Sequence, residues 1–257
     1  MKTLSEYSWS DSLFWGVFYG LVGLSWLILI ASELDGLSSF STLIDSICVS
    51  AAEASLGDLL VMWGLMVLAM MLPTFHAHAR VHQDIRSKQS WPSHTLVLVL
   101  GFLLIWSILV VVGAVFQRAL AANDLIDSSG RQTSLVGSAL VLLFAGAYQF
   151  SSLKRACMTQ CASPMHYFFK YWRDHHVGAL QMGVHLGVLC IGCCWALMAL
   201  AFVGGTMNVF WMAILTGLMI FDKQHYFHQQ WSTSVGWTLI VTGVLVLFIA
   251  LTLEVIV

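Results

Sequence analysis

Long apolar stretches alternate with short polar segments along the whole chain. An α-helix needs about 20 predominantly apolar residues to cross the hydrocarbon core of a bilayer. Seven stretches reach or approach that length: Leu13 to Ala31, Gly57 to Phe75, Leu96 to Phe116, Leu135 to Phe150, Leu180 to Val203, Met207 to Ile220, and Val235 to Val257. The pattern predicts an all-α fold, a polytopic transmembrane bundle of about seven helices that forms a single membrane domain over residues 1–257. Because the fourth and sixth stretches are short, six spans with one stretch lying along the interface are the alternative.

The placement of lysine and arginine predicts the orientation of this bundle. Cytoplasmic loops of membrane proteins are enriched in these two residues. With a cytoplasmic N-terminus, nine of the eleven basic residues fall on the cytoplasmic side, and only Arg118 and Arg131 fall on the other. We therefore expect the N-terminus in the cytoplasm and the C-terminus outside.

The composition supports a membrane location and argues against one class of partner. Charged residues make up 9% of the chain and hydrophobic residues 59%, whereas a soluble domain carries about 25% charged residues. The lipid bilayer is therefore the expected partner of most of the surface. A formal net charge of -2 gives no indication of nucleic-acid binding, which usually requires a basic surface.

A cluster of cysteines lies in the middle of the fifth apolar stretch, in the sequence Cys190-Ile191-Gly192-Cys193-Cys194-Trp195. Positions three and four residues apart share one face of a helix, so the three sulfurs should point into one sector at a similar depth. Such a group of thiols is suited to a soft transition metal such as copper. The alternative is that these cysteines act only as small buried hydrophobic residues.

A second pair of cysteines, Cys157 and Cys161, is spaced to bind one ion from a single helix face. Lys154 and Arg155 lie beside them, and nearby positive charge favours the thiolate form that binds metal. The five cysteines could form one site or two. One site requires residues 151–170 to fold back towards the fifth stretch, and a break at Pro164 would allow this.

Histidines predict a further site. The four-residue spacing of His78 and His82 lets two imidazoles bind one metal, and other histidines lie on the same predicted side: His76, His175, His176, His225 and His228. We expect any metal held by these histidines to be separate from the thiol site. His185 differs, because an ionisable residue within an apolar span usually faces a partner or a pathway.

Several short motifs resemble those of a known family. They are Met70-Met71-Leu72-Pro73, Tyr148-Gln149, Leu153-Lys154, Cys157 with Cys161 and Pro164, Gly183, His185, Gly187, the segment from Cys190 to Trp195, Met198, Gly205, Met207-Asn208 and Trp211. The chain resembles the bacterial family of predicted metal-binding integral membrane proteins called domain of unknown function 2182. It departs from that pattern in the histidines of residues 76–82 and 225–228.

The resemblance implies a multi-pass protein of the bacterial inner membrane that binds a transition metal. Together with the cysteines, it indicates a protein that handles a soft metal such as copper, by transport, storage or delivery to a metal-accepting partner. We do not expect an enzyme. Two alternatives are open: an accessory subunit of a larger membrane complex, and a membrane metalloenzyme whose metal is bound by histidines.

One helical pattern predicts packing rather than chemistry. Gly16, Gly20 and Gly23 recur at helical spacing in the first apolar stretch. Small residues allow membrane helices to approach closely. We therefore expect these three glycines to face another helix.

Overall fold

The computed structural model describes residues 4–33, 55–86, 93–127, 130–206, 208–223 and 228–256. Within these ranges the chain forms ten α-helices and no strand, with one isolated antiparallel bridge between Ile126 and Gln132. The helices are α1 (Leu4–Glu33), α2 (Leu56–Arg86), α3 (Ser93–Ala122), α4 (Leu135–Gln149), α5 (Ser152–Cys161), α6 (Pro164–Tyr171), α7 (His175–Ala199), α8 (Ala201–Gly204), α9 (Val209–Asp222) and α10 (His228–Ile256). The prediction of an all-α fold is confirmed for these residues.

Among the described residues, five helical segments are long and apolar enough to cross a membrane. They lie in α1, in α2, in α3, in α7 together with α8, and in α10. Helices α4 and α5 form a bent pair that would add a sixth span, and α9 is a shorter apolar helix. Length and composition therefore support five or six spans and do not confirm seven. The difference comes from the two short stretches, because α4 has 15 residues and α9 has 14.

Helices α3 and α7 meet backbone to backbone at two glycines. A Cβ added at Gly101 would lie 2.5 Å from the carbonyl oxygen of Leu180, and a Cβ at Gly183 would overlap the carbonyl oxygen of Leu98. Any larger residue at either position would push the helices apart, because the obstructing atoms belong to backbone. This contact fixes the position of α7, which carries the three-cysteine cluster.

The glycines of α1 do not pack in this way. A Cβ added at Gly16, Gly20 or Gly23 would meet no atom within 4 Å, so the expectation that they face another helix is wrong for the described residues. Instead, α1 contacts α2 through Trp15, whose indole Nε1 donates to Oε1 of Gln83 at 2.9 Å. An aromatic side chain, rather than close backbone contact, joins these two helices.

Pro73 interrupts the backbone hydrogen bonding in the middle of α2. Proline has no backbone N–H, so the carbonyl of Ala69 loses its usual intrahelical donor. The indole Nε1 of Trp26 on α1 donates to this carbonyl at 3.1 Å. Because the carbonyl is satisfied from outside, α2 continues past the proline to Arg86 and carries Thr74 and His78 with it.

Helices α4 and α5 meet at an angle of 64°. The break precedes Ser151, whose side chain accepts a hydrogen bond from the backbone N–H of Lys154 and so caps α5. The bend packs α5, with Cys157 and Cys161, against α7. The sequence allowed a break at Pro164, and that proline begins α6, a position where proline is well accommodated. The bend that brings α5 against α7 lies earlier, between α4 and α5.

A buried ion pair joins α5 to the end of α9. Nζ of Lys154 donates to Oδ2 of Asp222, and both side chains are at most 5% exposed. Lys154 also donates to Oε1 of Gln149, which accepts a further hydrogen bond from Ser232 of α10. Because buried charges are costly unless they are paired, this network holds the C-terminal end of α9 in place.

Replacing Lys154 by Met should therefore be strongly destabilising. The change removes the cation from a buried carboxylate, and breaking a buried pair in this way costs about 3–5 kcal/mol. Arg131→Met is the matched control, because the pair between Arg131 and Asp127 is exposed and such pairs contribute about 1 kcal/mol or less. Unfolding of the purified variants in detergent measures both. Equal losses of stability would contradict a structural role for the buried pair.

Candidate metal centre

Three cysteine sulfurs converge on one face of α7. Cys190, Cys193 and Cys194 are each at most 2% exposed, and their Sγ atoms all lie within 4.8 Å of one another. The sulfurs of Cys193 and Cys194 are 3.3 Å apart, and all three cysteines are free thiols. Within the part of the chain that the structure describes, no other group of three or more cysteine, histidine or acidic side chains meets this spacing. We call these three residues the thiol trio.

Gly192 lets a fourth cysteine come close to the trio. A Cβ added at Gly192 would lie 2.6 Å from Sγ of Cys157, so only glycine leaves room for this sulfur. The carbonyl of Gly192 accepts a hydrogen bond from the hydroxyl of Tyr148, and the Tyr148 ring packs edge-on against Trp195 at 5.0 Å. Helices α4 and α5 therefore both contact α7 at its cysteine motif.

Cys161 belongs to the same surroundings. It is 4% exposed, and its side chain interacts electrostatically with that of Cys193. The bend between α4 and α5 thus gathers Cys157 and Cys161 around the thiol trio, although only the trio has mutual sulfur distances within 4.8 Å. This arrangement favours one thiol-rich region over two separate sites.

A lysine side chain points at the thiol trio. Lys223 follows the last residue of α9, and its Nζ donates to Sγ of Cys190 at 3.1 Å and to Oγ1 of Thr74 at 2.9 Å. The preceding residue, Asp222, is buried in its ion pair with Lys154, whereas Lys223 faces the sulfurs.

His78 on α2 lies beside the same cluster. It is 3% exposed, and its electrostatic neighbours include Cys190 and Lys223. Neither ring nitrogen has a hydrogen-bond partner of normal geometry, although the backbone of Gln160 is close. A buried imidazole in this position is suited to act as a nitrogen ligand. His78 therefore lies within electrostatic range of the thiol trio, although its ring nitrogens do not belong to the group of ligand atoms within 4.8 Å of one another.

The other histidines of α2 face different surroundings. Nδ1 of His82 lies 2.9 Å from Oγ1 of Thr95, and its ring packs against Phe168 at 5.5 Å. The ring of His76 packs edge-on against Trp15 at 5.1 Å. His78 has a third environment, so these three histidines of α2 have different neighbours. The binding of one ion by His78 and His82 together stays a prediction.

His185 borders a cleft between α6 and α7. Its Nδ1 lies 3.1 Å from the hydroxyl of Tyr167, and that hydroxyl donates to the carbonyl of Met182 at 3.1 Å. Burial raises the pKa of Tyr167, so the phenol stays neutral and keeps its proton to donate. The cleft has a volume of about 310 Å³. The Tyr167 ring also lies 6.2 Å from that of His78, so Tyr167 separates the cleft from the thiol-rich region.

Another described histidine, His176, lies in a different environment. His176, in the first turn of α7, stacks on His94 with ring centroids 3.8 Å apart. Nothing in the sequence indicated a role for His94, because no other histidine lies three or four residues away from it. His225 and Cys48 lie outside the described residues, and for His228 only the backbone is described.

Sequence reasoning missed Thr74 and Lys223 as part of the site. One signal was present: Lys223 directly follows an apolar helix of only 14 residues. At 1.5 Å per residue such a helix is about 21 Å long, shorter than a hydrocarbon core of about 30 Å. A charged residue at the end of so short a helix is therefore expected to lie inside the bundle and not at the membrane surface.

Comparison with known proteins agrees with this chemistry. A family model described as PpoB2, copper chaperone, matches residues 60–246, a range that includes the thiol trio, His78 and Lys223. No curated protein and no solved structure matches the chain. The match supports the metal-related part of the resemblance drawn from the motifs, but under a different family description. Because it covers well over half of the chain, the protein belongs to the PpoB2 family of copper chaperones.

Proposed function

We propose that this protein binds copper(I) as its cargo at the thiol trio, within a membrane, and delivers it to a metal-accepting partner protein. The observation that carries the proposal is the set of three buried sulfurs within 4.8 Å of one another. Soft thiolate ligands suit copper(I), as they also suit zinc and iron–sulfur clusters. The membership in a copper chaperone family supports delivery as the purpose of binding.

The family favours copper(I) over a structural zinc ion, because its description is that of copper chaperones, whereas thiolate and imidazole ligands also suit zinc. A partner protein can take the metal by exchanging one ligand at a time. Burial of the sulfurs, each at most 2% exposed, would keep the metal from water until a partner docks.

Replacing Cys193 by Ser should weaken copper(I) binding by more than the roughly 10–100-fold that loss of an outer partner of a metal site costs. Serine is nearly the size of cysteine but is a poor ligand for a soft metal. Titration of the purified protein with copper(I) against a chromophoric chelator measures the affinity, and the folded yield of each variant is recorded beside it.

Cys48→Ser is the control for this experiment, since Cys48 is far in sequence from the α7 cluster. It should bind copper(I) as the native protein does. Unchanged copper stoichiometry in single serine variants of all three trio cysteines would contradict the proposal. Zinc(II) bound as tightly as copper(I) would contradict the choice of metal.

We propose further that His78 completes the site as a nitrogen ligand, with Cys157 and Cys161 as surrounding thiols. The support is the position of His78 beside Cys190, with both ring nitrogens lacking a partner of normal geometry. His82 and His185 each have a nearby hydroxyl at 2.9 Å and 3.1 Å, and we assign them no bond to this copper.

Replacing His78 by Ala should remove a nitrogen neighbour from the X-ray absorption spectrum of the copper-loaded protein and leave its sulfur neighbours in place. His82→Ala is the matched control on the same helix and should leave the spectrum unchanged. A spectrum with only sulfur in the native protein would contradict the role of His78, as would the same loss of nitrogen in both variants.

For the membrane arrangement, we propose seven spans in a bacterial inner membrane, with α4 and α9 as the two short ones. Contacts at the end of the bundle where α1 begins support this orientation. There α1 meets the C-terminal part of α2 through Trp15 and Gln83. Arg86 at the end of α2 lies 3.6 Å from Asp174 before α7. These contacts gather the basic residues at the end of the bundle where α1 begins.

A reporter enzyme that is active only in the periplasm should be active when it is fused after Val257. An odd number of spans from a cytoplasmic N-terminus places the C-terminus outside. A reporter that is active only in the cytoplasm, fused at the same residue, is the control and should be inactive. The reverse pattern would mean an even number of spans, with α9 the first candidate for a segment that does not cross.

A further inference from the structure

We infer that Lys223 supplies the fixed positive charge that lets an anionic copper–thiolate site exist inside the bundle, and that Thr74 positions it. The inference rests on the proposed copper site and deepens it. It makes Lys223 a positioning residue for the cargo rather than a metal ligand.

The need for a positive charge follows from the charge of the site. Copper(I) carries one positive charge, and each bound thiolate carries one negative charge, so two thiolates leave a net charge of minus one and three leave minus two. Charge of either sign is costly in the low-dielectric interior of a membrane bundle. A cation at hydrogen-bond distance from a sulfur offsets this cost.

The contacts of Lys223 match that role. Its Nζ lies 3.1 Å from Sγ of Cys190, and its electrostatic neighbours are cysteines of the site, with Cys194 and Cys193 after Cys190. The second partner of Nζ is the neutral hydroxyl of Thr74 at 2.9 Å. Its positive charge is therefore directed at sulfur.

The neighbouring ion pair explains why this charge stays available. Asp222 precedes Lys223 in the chain, but its carboxylate accepts from Lys154 on α5. The two consecutive charged residues at the end of α9 therefore make hydrogen bonds with different partners.

The length of α9 brings Lys223 to the right depth. Thr74 lies 12 residues before the end of α2 at Arg86, which corresponds to about 18 Å along the helix. Because Lys223 contacts Thr74, the C-terminal end of α9 stops beside the end of the second apolar stretch, while α2 continues to Arg86. Extending α9 to the full length of a span would carry this lysine away from the sulfurs.

The position of Lys223 at the end of α9 could also have a purely structural cause. A lysine at the C-terminal end of a helix also interacts favourably with the helix dipole, which would stabilise the fold and have no effect on copper. The two roles differ in one respect: only the counter-charge role couples Lys223 to the thiolate of Cys190.

The test is the copper(I) affinity of Lys223→Met and Lys223→Arg, each in the native chain and with Cys190→Ser. Purified protein is titrated with copper(I) against a chromophoric chelator at neutral pH, and unfolding of the metal-free protein is recorded. Lys223→Met should weaken binding about 10–100-fold, as loss of an outer partner of a metal site does, and Lys223→Arg should recover most of it. With Cys190→Ser, the loss caused by Lys223→Met should shrink, because coupled residues are not additive.

Thr74→Val is an independent variant that keeps the charge and removes the hydroxyl beside it. It should weaken copper(I) binding less than Lys223→Met does.

Native affinity in Lys223→Met would overturn the inference, and so would an equal loss of affinity in the Lys223→Met and Lys223→Arg variants when both fold. If Cys193→Ser lowers the affinity in this assay and Lys223→Met does not, the counter-charge fails while the copper site stands. If Cys193→Ser also binds as the native protein does, the proposed function fails.

Discussion

Three thiols that share one face of a buried helix impose an electrostatic constraint on everything packed around them. As free thiols they are ordinary apolar side chains, but as metal ligands they bring negative charge into an environment that excludes it. The ammonium group of Lys223, which donates a hydrogen bond to Cys190 at 3.1 Å, offsets part of that negative charge. The short helix α9 and the bond between Thr74 and Lys223 both place the ammonium group where the sulfurs need it.

The backbone around the site is arranged for close approach. Gly101 and Gly183 let α3 and α7 touch, and Gly192 leaves room for the sulfur of Cys157. The 64° bend between α4 and α5 directs two further cysteines at the same region. Without the bend and the space at Gly192, α7 would still carry its three cysteines, but Cys157 and Cys161 would not converge on them.

The sequence predicts what depends on local periodicity. Hydropathy located the helices, and the spacing of Cys190, Cys193 and Cys194 predicted their common face, which the structure bears out. The seven-span count is not established, because length and hydropathy alone cannot decide how a 14-residue helix such as α9 sits in a bilayer. The sequence also could not predict which helix faces contact each other. Periodicity shows which residues lie on one face of a helix, but not which other helix that face contacts. For that reason Lys223, 33 residues from Cys190, was not recognised, and the electrostatic contact between His78 and Cys190 was not foreseen.

The most direct test of the copper site is to locate the metal itself. Crystals of the protein loaded with copper(I) under reducing conditions would give an anomalous difference map at the copper edge. A single strong peak bonded to the sulfurs of Cys190, Cys193 and Cys194, with the Lys223 ammonium beside it, is the predicted result. A peak at the surface histidines with none at the thiol trio would contradict the account.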